Sequence, residues 1–381
     1  MDNQKQIVEE NLTKFLQELL RFSGLPDEII IEILLRLPVK SLLKLRCVSK
    51  SWLSLLSGSH FVKAQIKFSS KNVNLMLLVV SSVSGLVGKI CSTYSVVCEN
   101  SCVDFARSDY PLKLPFRSAK FLGSCNGLIC LTPVSFGLML WNPTTGKYKE
   151  FQDSIVHSSE SCYIRYGFGY DATNDDYKVV KIFSFPRGEG RYENVVEIFS
   201  LRGDSWKMGE GFDSGYVNAK SGVFLNGALH WELSDCRGSG SCSEIMTLDL
   251  ATETYGVMGL PNCEKGNASW TLSVLGGYLV AGCNYYPNRT EMWVMKEYGV
   301  EKSWTKLVSL LSPPGRMGYI SPLFVSENGG EVLVKLGTDI SLYSTRNASY
   351  KSFGIHSAGC RLQVHAINYT ESLASPHVVD K

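Results

Sequence analysis

The residues whose types could do chemistry are poorly spaced for it. His230, Cys236 and Cys242 are of the right types for a zinc site. No Cys-x-x-Cys occurs, and the nearest spacings, Cys98 to Cys102 and Cys125 to Cys130, fall at strand positions, so a packed histidine and buried thiols are the simpler reading. Six histidines show no local nucleophile–base arrangement and no Gly-x-Ser-x-Gly elbow is present, which argues against a serine hydrolase. Gly-x-Gly pairs begin at Gly167, Gly188, Gly209 and Gly238, but each lacks the third glycine and no Walker-type lysine follows. The carboxylate pair Asp175-Asp176 reads as the solvated tip of a hairpin. The chain therefore offers no catalytic residue, no cofactor site and no metal site, and points to a non-enzymatic protein that works by binding.

Its 381 residues, at roughly 150 per domain, set a prior of two to three domains. With 44% hydrophobic, 19% charged and 11% aromatic residues the composition is that of a soluble globular protein rich in strand formers. The net charge of +2 conceals an asymmetry: no acid occurs from Ile33 to Cys98, while Arg36, Lys40, Lys44, Arg46, Lys50, Lys63, Lys67, Lys71 and Lys89 do, so the remainder is seven units negative. Twelve cysteines without a secretory signal are expected to be reduced thiols, which places the protein in the cytoplasm or nucleus. The uncharged stretch Asn72 to Gly88 is too short and too polar for a membrane helix and reads as two strands, Val73–Val80 and Leu86–Ile90; no membrane partner is expected.

The apolar spacing is helical up to about Phe61 and strand-like beyond it. Residues 1–22 form an amphipathic stripe of Ile7, Val8, Leu12, Phe15, Leu16, Leu19 and Leu20. Asp27 and Glu28 favour a helix start, Ile29, Ile30, Ile33, Leu34 and Leu37 repeat at helical spacing, and Pro38 ends the run. A second short helix starts near Ser41 and a third follows Ser49 as N-cap, carrying Trp52, Leu55 and Leu56. Three short helices cannot bury this much apolar surface among themselves, so either the rest of the chain or a second protein must cover it.

The following 300 or so residues hold a repeat of about fifty. A strand–Gly turn–strand unit appears around Asn126-Gly127, Asn226-Gly227, Gly276-Gly277 and Asn328-Gly329-Gly330, turns that need positive φ. A later strand ending in a polar turn recurs at Trp141, Phe199, Leu248, Val294 and Tyr343, the last three intervals being 49, 46 and 49 residues. That period, with about four strands per unit, indicates a β-propeller. Five blades are visible, and a sixth combines the strands between Val73 and Cys98 with the tail run Arg361–Ile367; a pair of β-sandwich-like sheets is the alternative.

Two stretches carry a family resemblance. Leu25-Pro26-Asp27-Glu28-Ile29-Ile30, Ile33-Leu34-Leu35-Arg36-Leu37-Pro38-Val39-Lys40-Ser41-Leu42 and Arg46-Cys47-Val48-Ser49-Lys50-Ser51-Trp52 resemble an F-box. The body is similar to the F-box-associated interaction domain of plant-type F-box proteins, which include the S-locus F-box proteins. It matches at Cys125-Asn126-Gly127-Leu128, Trp141-Asn142-Pro143-Thr144, Gly167-Phe168-Gly169-Tyr170-Asp171, Asp176-Tyr177-Lys178-Val179-Val180, Met292–Gly299 and Tyr369-Thr370-Glu371-Ser372-Leu373. The resemblance implies an N-terminal extension over 1–22, an all-α F-box head over 23–66 and an all-β propeller over 70–375. It also implies a Skp-family adaptor as partner and, through it, a cullin. Leu25, Pro26, Ile29, Ile33, Leu37, Val39, Leu42, Cys47 and Trp52 would then supply the adaptor surface or the core behind it, and the basic stripe would suit an acidic adaptor.

The implied role is the substrate-recognition subunit of an SCF-type ubiquitin ligase, which holds a protein target without doing chemistry on it. Target contacts are expected on one propeller rim, from Tyr216, Tyr285, Tyr286, Arg289 and Arg316. The alternatives are a propeller scaffold without a ligase role and a basic helical DNA-binding module. The second is disfavoured because the short helices devote their faces to Leu42, Leu45, Trp52 and Leu55; no nucleic-acid partner is expected.

Overall fold

The structure, a computed structural model, describes residues 26–71, 75–81, 87–92, 106–108, 120–132, 137–154, 162–188, 191–212, 215–218, 221–234, 242–262, 268–285, 289–312, 320–326, 328–337, 339–352 and 365–377. The amphipathic stripe over 1–22, together with Leu25, Tyr286 and Arg316, lies outside these residues.

Four helices form the head. Pro26 and Pro38 cap the first two, Asp27–Leu35 and Val39–Leu45, where a missing N–H costs nothing. Ser49 caps the third, Lys50–Ser57, its hydroxyl accepting from the Trp52 N–H at 3.2 Å. Gly58 separates it from a fourth helix, Ser59–Lys71, which extends the helical region beyond the expected Phe61. Leu34, Val39, Leu42, Leu45, Leu56 and Phe61 make the head's core, joined by Leu373 from the far end of the chain.

The body is six antiparallel sheets, and each is a blade. Blade 1 pairs Leu75–Ser81 with the C-terminal strand His365–Thr370 on one side and Val87–Ser92 on the other, so the two ends of the domain meet in one sheet. The ring is closed by the tail strand expected for that role, and closure removes the long free edges that would otherwise invite aggregation. Blade 2 runs from Lys120 to Phe151, blade 3 from Tyr163 to Met208, blade 5 from Ala268 to Leu311 and blade 6 from Ile320 to Ser352. In blade 4 the innermost strand is split, and Tyr216–Val217 and Val223–Leu225 both pair with Ala228–Ser234.

Blade 3 is buried on both faces, and the period of two divides its side chains between its neighbours. In blade 3, Phe168, Val179 and Phe199 pack toward Leu128, Leu140 and Phe151 of blade 2. The alternate residues Val180, Ile182, Val196 and Ile198 pack toward Leu229, Trp231 and Met246 of blade 4. The Gly-x-Gly pair at Gly167 is part of this packing and not a phosphate loop. A Cβ at Gly167 would sit 2.6 Å from the Trp231 ring and one at Gly169 2.3 Å from Phe224, while the Trp231 indole N–H donates to the Tyr166 carbonyl at 3.0 Å.

The turn residues behave as their types require. Asn126 and Gly127, Asn226 and Gly227, and Gly276 and Gly277 all have positive φ, as two-residue hairpins of this hand demand. Asp171–Asp176 turns the longer blade 3 hairpin, but Asp175-Asp176 is no solvated tip. Asp176 is buried and accepts from Ser200 Oγ at 2.6 Å and the Arg202 N–H at 2.8 Å, and Asp175 pairs with Lys63 of the head.

His230 is occupied as well. Its ring nitrogens lie 3.1 Å from the Val223 carbonyl and 2.8 Å from the Tyr298 hydroxyl, leaving neither for a metal. Cys236 lies outside the described residues, among which no group of three His, Cys, Asp or Glu could hold a metal ion. No described helix is long and apolar enough to cross a membrane.

Two buried groups on one strand of blade 4 give opposite pH dependences. Burial pushes the Glu232 carboxyl up to about 7 and the His230 imidazole down to about 4. Above the ordinary carboxyl value of 4.5 and up to about 7, the unfolded chain has lost a Glu232 proton that the folded chain keeps, so this group makes stability fall as pH rises. Between about 4 and 6.5 the unfolded chain takes up a His230 proton that the folded chain refuses, so that group makes stability rise with pH. Glu232→Gln keeps an acceptor for the Leu272 N–H, which the carboxylate now accepts at 3.0 Å. The variant is expected to gain on the order of 2 kcal/mol at pH 8 and much less at pH 5. Urea midpoints at the two pH values check this, and equal gains at both would contradict it.

Candidate docking surfaces

The F-box-like residues divide into two sets. Val39 and Leu42 do not reach the surface, being 5% and 0% exposed, so of the two roles open to them they take that of the core behind the docking face. Pro26, Ile29 and Cys47 are exposed, and Ile33, Leu37 and Trp52 are half-buried, the latter two packing against the head core. Val48 and Leu53, 42% and 48% exposed, are further apolar surface residues of the head that their spacing had not singled out. Pro26, Ile29, Val48 and Leu53 are thus apolar side chains that the head leaves exposed.

The basic stripe is also divided. Lys63 Nζ lies 2.7 Å from Asp175 and Lys40 Nζ 4.0 Å from Glu371, so these cations of the stripe face the body and its C-terminal segment. Arg46 donates to the Leu56 carbonyl at 2.7 Å, inside the head. Part of the charge asymmetry is therefore complementarity between head and body, not between head and adaptor.

A strap joins the two. After the last propeller strand, Glu371 to Ala374 runs between head and blade 2. Asn142 donates both amide hydrogens to it, to the Ser372 carbonyl at 3.0 Å and the Ala374 carbonyl at 2.8 Å. Ser372 Oγ donates to the Asn126 carbonyl at 2.7 Å. From the other side Gln65 Oε1, on the fourth helix, accepts from the Leu373 N–H at 3.2 Å, while the Leu373 side chain enters the head core. The matching turns in blades 2 and 4 test this packing. A Cβ at Gly127 would fall 2.1 Å from Ser372 Oγ, whereas nothing lies within 4 Å of one at Gly227, and both glycines have φ near +80°. Gly227→Ala is expected to cost about 1 kcal/mol and Gly127→Ala about 3 kcal/mol or more by denaturant unfolding; equal costs would contradict the strap.

Because the strands alternate in direction, all connections between first and second or third and fourth strands in blades 2–6 leave from the side that carries the head. The opposite side carries the ends Tyr163, Pro186, Tyr192, Tyr216, Tyr285, Arg289 and Leu311. Tyr285 and Arg289 are cross-strand partners in blade 5, the guanidinium 4.7 Å from the ring centroid and its Nε 3.5 Å from Glu291. Tyr216 is not with them. It contacts Tyr163, Tyr192 and Arg165 of blade 3, on the far side of blade 4. Sequence reading had not singled out Tyr163 or Arg165; the signal available was a lone arginine in the otherwise aromatic and glycine-rich strand Tyr163–Asp171.

Comparison with known proteins agrees with this architecture. Residues 22–63 match the F-box domain family and residues 88–376 the F-box associated beta propeller domain family. An F-box/kelch-repeat protein of Arabidopsis thaliana is 33% identical over 371 residues, covering 93% of this chain and 96% of its own. The Arabidopsis thaliana F-box protein CPR1 is 30% identical over 338 residues, covering 82% and 79%.

Proposed function

The chain belongs to the F-box proteins that carry an F-box associated beta propeller domain, and from that premise we propose that it is a non-catalytic substrate receptor of an SCF-type ubiquitin ligase. F-box domains generally bind a Skp-family adaptor and through it a cullin. The observation that carries the reading here is the set Pro26, Ile29, Val48 and Leu53, exposed on a head whose own core is already complete. The mechanism is proximity. The head holds the ligase, the propeller holds a target, and the strap keeps the distance between them fixed, so that a target lysine experiences a high effective concentration of the conjugating enzyme.

Tyr216, Tyr285 and Arg289, on the side away from the head, support target binding at that rim; Tyr286 and Arg316, expected as further target contacts, lie outside the described residues. The cytoplasm or nucleus is the proposed location. Titration of the purified full chain with a Skp-family adaptor tests the reading: a one-to-one complex is expected, and no complex with a correctly folded chain would leave the competing reading, an adaptor-free propeller scaffold.

A further inference from the structure

We propose that Arg165, walled by Tyr163, Tyr192 and Tyr216, is a recognition site for an Asp or Glu side chain of the target; the inference rests on the receptor reading and deepens it. Arg165 is 9% exposed, near the outer end of the blade 3–4 junction. Its Nε donates to the Val217 carbonyl at 2.9 Å, Nη1 to the Ile164 carbonyl at 3.1 Å and Nη2 to the Tyr216 hydroxyl. A guanidinium has five N–H donors, so two remain.

Its charge is what sets it apart. The other buried cations of the propeller have carboxylates: Lys178 pairs with Asp171 and Glu253, both at 3.0 Å, and Lys181 with Asp153 at 2.9 Å. Among the described residues Arg165 has none, and a buried guanidinium without a counter-ion is unfavourable in a way that an arriving carboxylate would relieve. The surroundings suit such an arrival. The guanidinium carbon lies 5.7 and 5.1 Å from the Tyr163 and Tyr216 ring centroids. The rings of Tyr163 and Tyr192 lie 5.2 and 5.0 Å from that of Tyr216, so aromatic surface from three strands and two blades converges on one cation. Tyr163 is 47% exposed, giving the residue beside the target carboxylate an apolar surface to lie on.

The test pans a library of random-sequence displayed peptides against the immobilised full chain, with capture of a Skp-family adaptor measured separately. Selected sequences are expected to be enriched in Asp or Glu beside an aromatic or aliphatic residue. Tyr163→Ala, an exposed position whose loss leaves the fold intact, and Arg165→Gln are each expected to weaken a selected peptide at least about 10-fold while adaptor capture is unchanged. Absence of acidic enrichment, or selected affinities that survive both substitutions, would overturn the site. Loss of adaptor binding by the unmodified chain with peptide selection intact would overturn the ligase reading alone.

Discussion

A chain carrying Pro26→Ala and Ile29→Asp is expected to lose affinity for a Skp-family adaptor by about 100-fold or more, with no change in its thermal unfolding. Both residues are exposed and neither contributes to the head core. An aspartate in the first turn of Asp27–Leu35 joins Asp27 and Glu28 at the end of the helix where negative charge is favourable, so the helix is not weakened. At an apolar interface the same change removes about 2 kcal/mol of side-chain burial and forces a carboxylate out of water. Leu42→Ala is the contrasting variant. At 0% exposure it should cost about 2–5 kcal/mol of stability and weaken binding only by loosening the head. Calorimetry and adaptor titration on both variants separate the roles. If Leu42→Ala were harmful and the double variant bound normally, the docking face would have to lie elsewhere on the head.

Leu373→Asp is expected to detach the head from the propeller. Leu373 is 3% exposed in the head core although it lies more than 300 residues from those helices in sequence. A charge there cannot stay buried without a partner, so position 373 leaves the head core while Asn142 keeps Ser372 and Ala374 on blade 2, and the Gln65 hydrogen bond and a leucine burial of about 2–5 kcal/mol are lost. The blades keep their own cores, so the propeller should unfold at an unchanged midpoint. Limited proteolysis should cut within the fourth helix, Ser59–Lys71, faster than in the parent chain. Adaptor and target should each still bind, while ubiquitin transfer from one to the other slows because the distance is no longer fixed. Unchanged proteolysis and unchanged transfer would show that the strap does not hold the head.

What was legible in the sequence is what local rules control. Pro26, Pro38 and Ser49 mark helix starts, and the Asn-Gly and Gly-Gly pairs mark hairpins, because the backbone at those positions admits few residue types. The ring's closure followed from strands at both ends of the domain that lacked partners of their own. The fourth helix, Ser59–Lys71, was missed because its buried face is thin: Phe61 serves the head core, while Gln65 and Ile66 meet the strap and the propeller. The split of Ile29 from Leu42 was also out of reach, since periodicity places both on apolar stripes and only tertiary packing decides which stripe is covered. Lys40 and Lys63 read as part of an adaptor-facing stripe until Glu371 and Asp175, distant in sequence, were found beside them. Arg165 is the same kind of case, because the meaning of its charge depends on a carboxylate partner that the strands around it do not supply.

The proposed function has the head bring a ligase to whatever the propeller holds. The most direct test isolates the tagged full chain from cells whose proteasome is blocked, beside the Pro26→Ala, Ile29→Asp variant, and measures ubiquitin-modified lysines on the proteins bound to each. The expected result is that both chains hold the same target while only the unmodified chain also holds adaptor and cullin, and that ubiquitin on the target falls at least 10-fold with the variant. An unmodified chain that holds no cullin, or a bound target that carries as much ubiquitin with the variant as without it, would contradict the account.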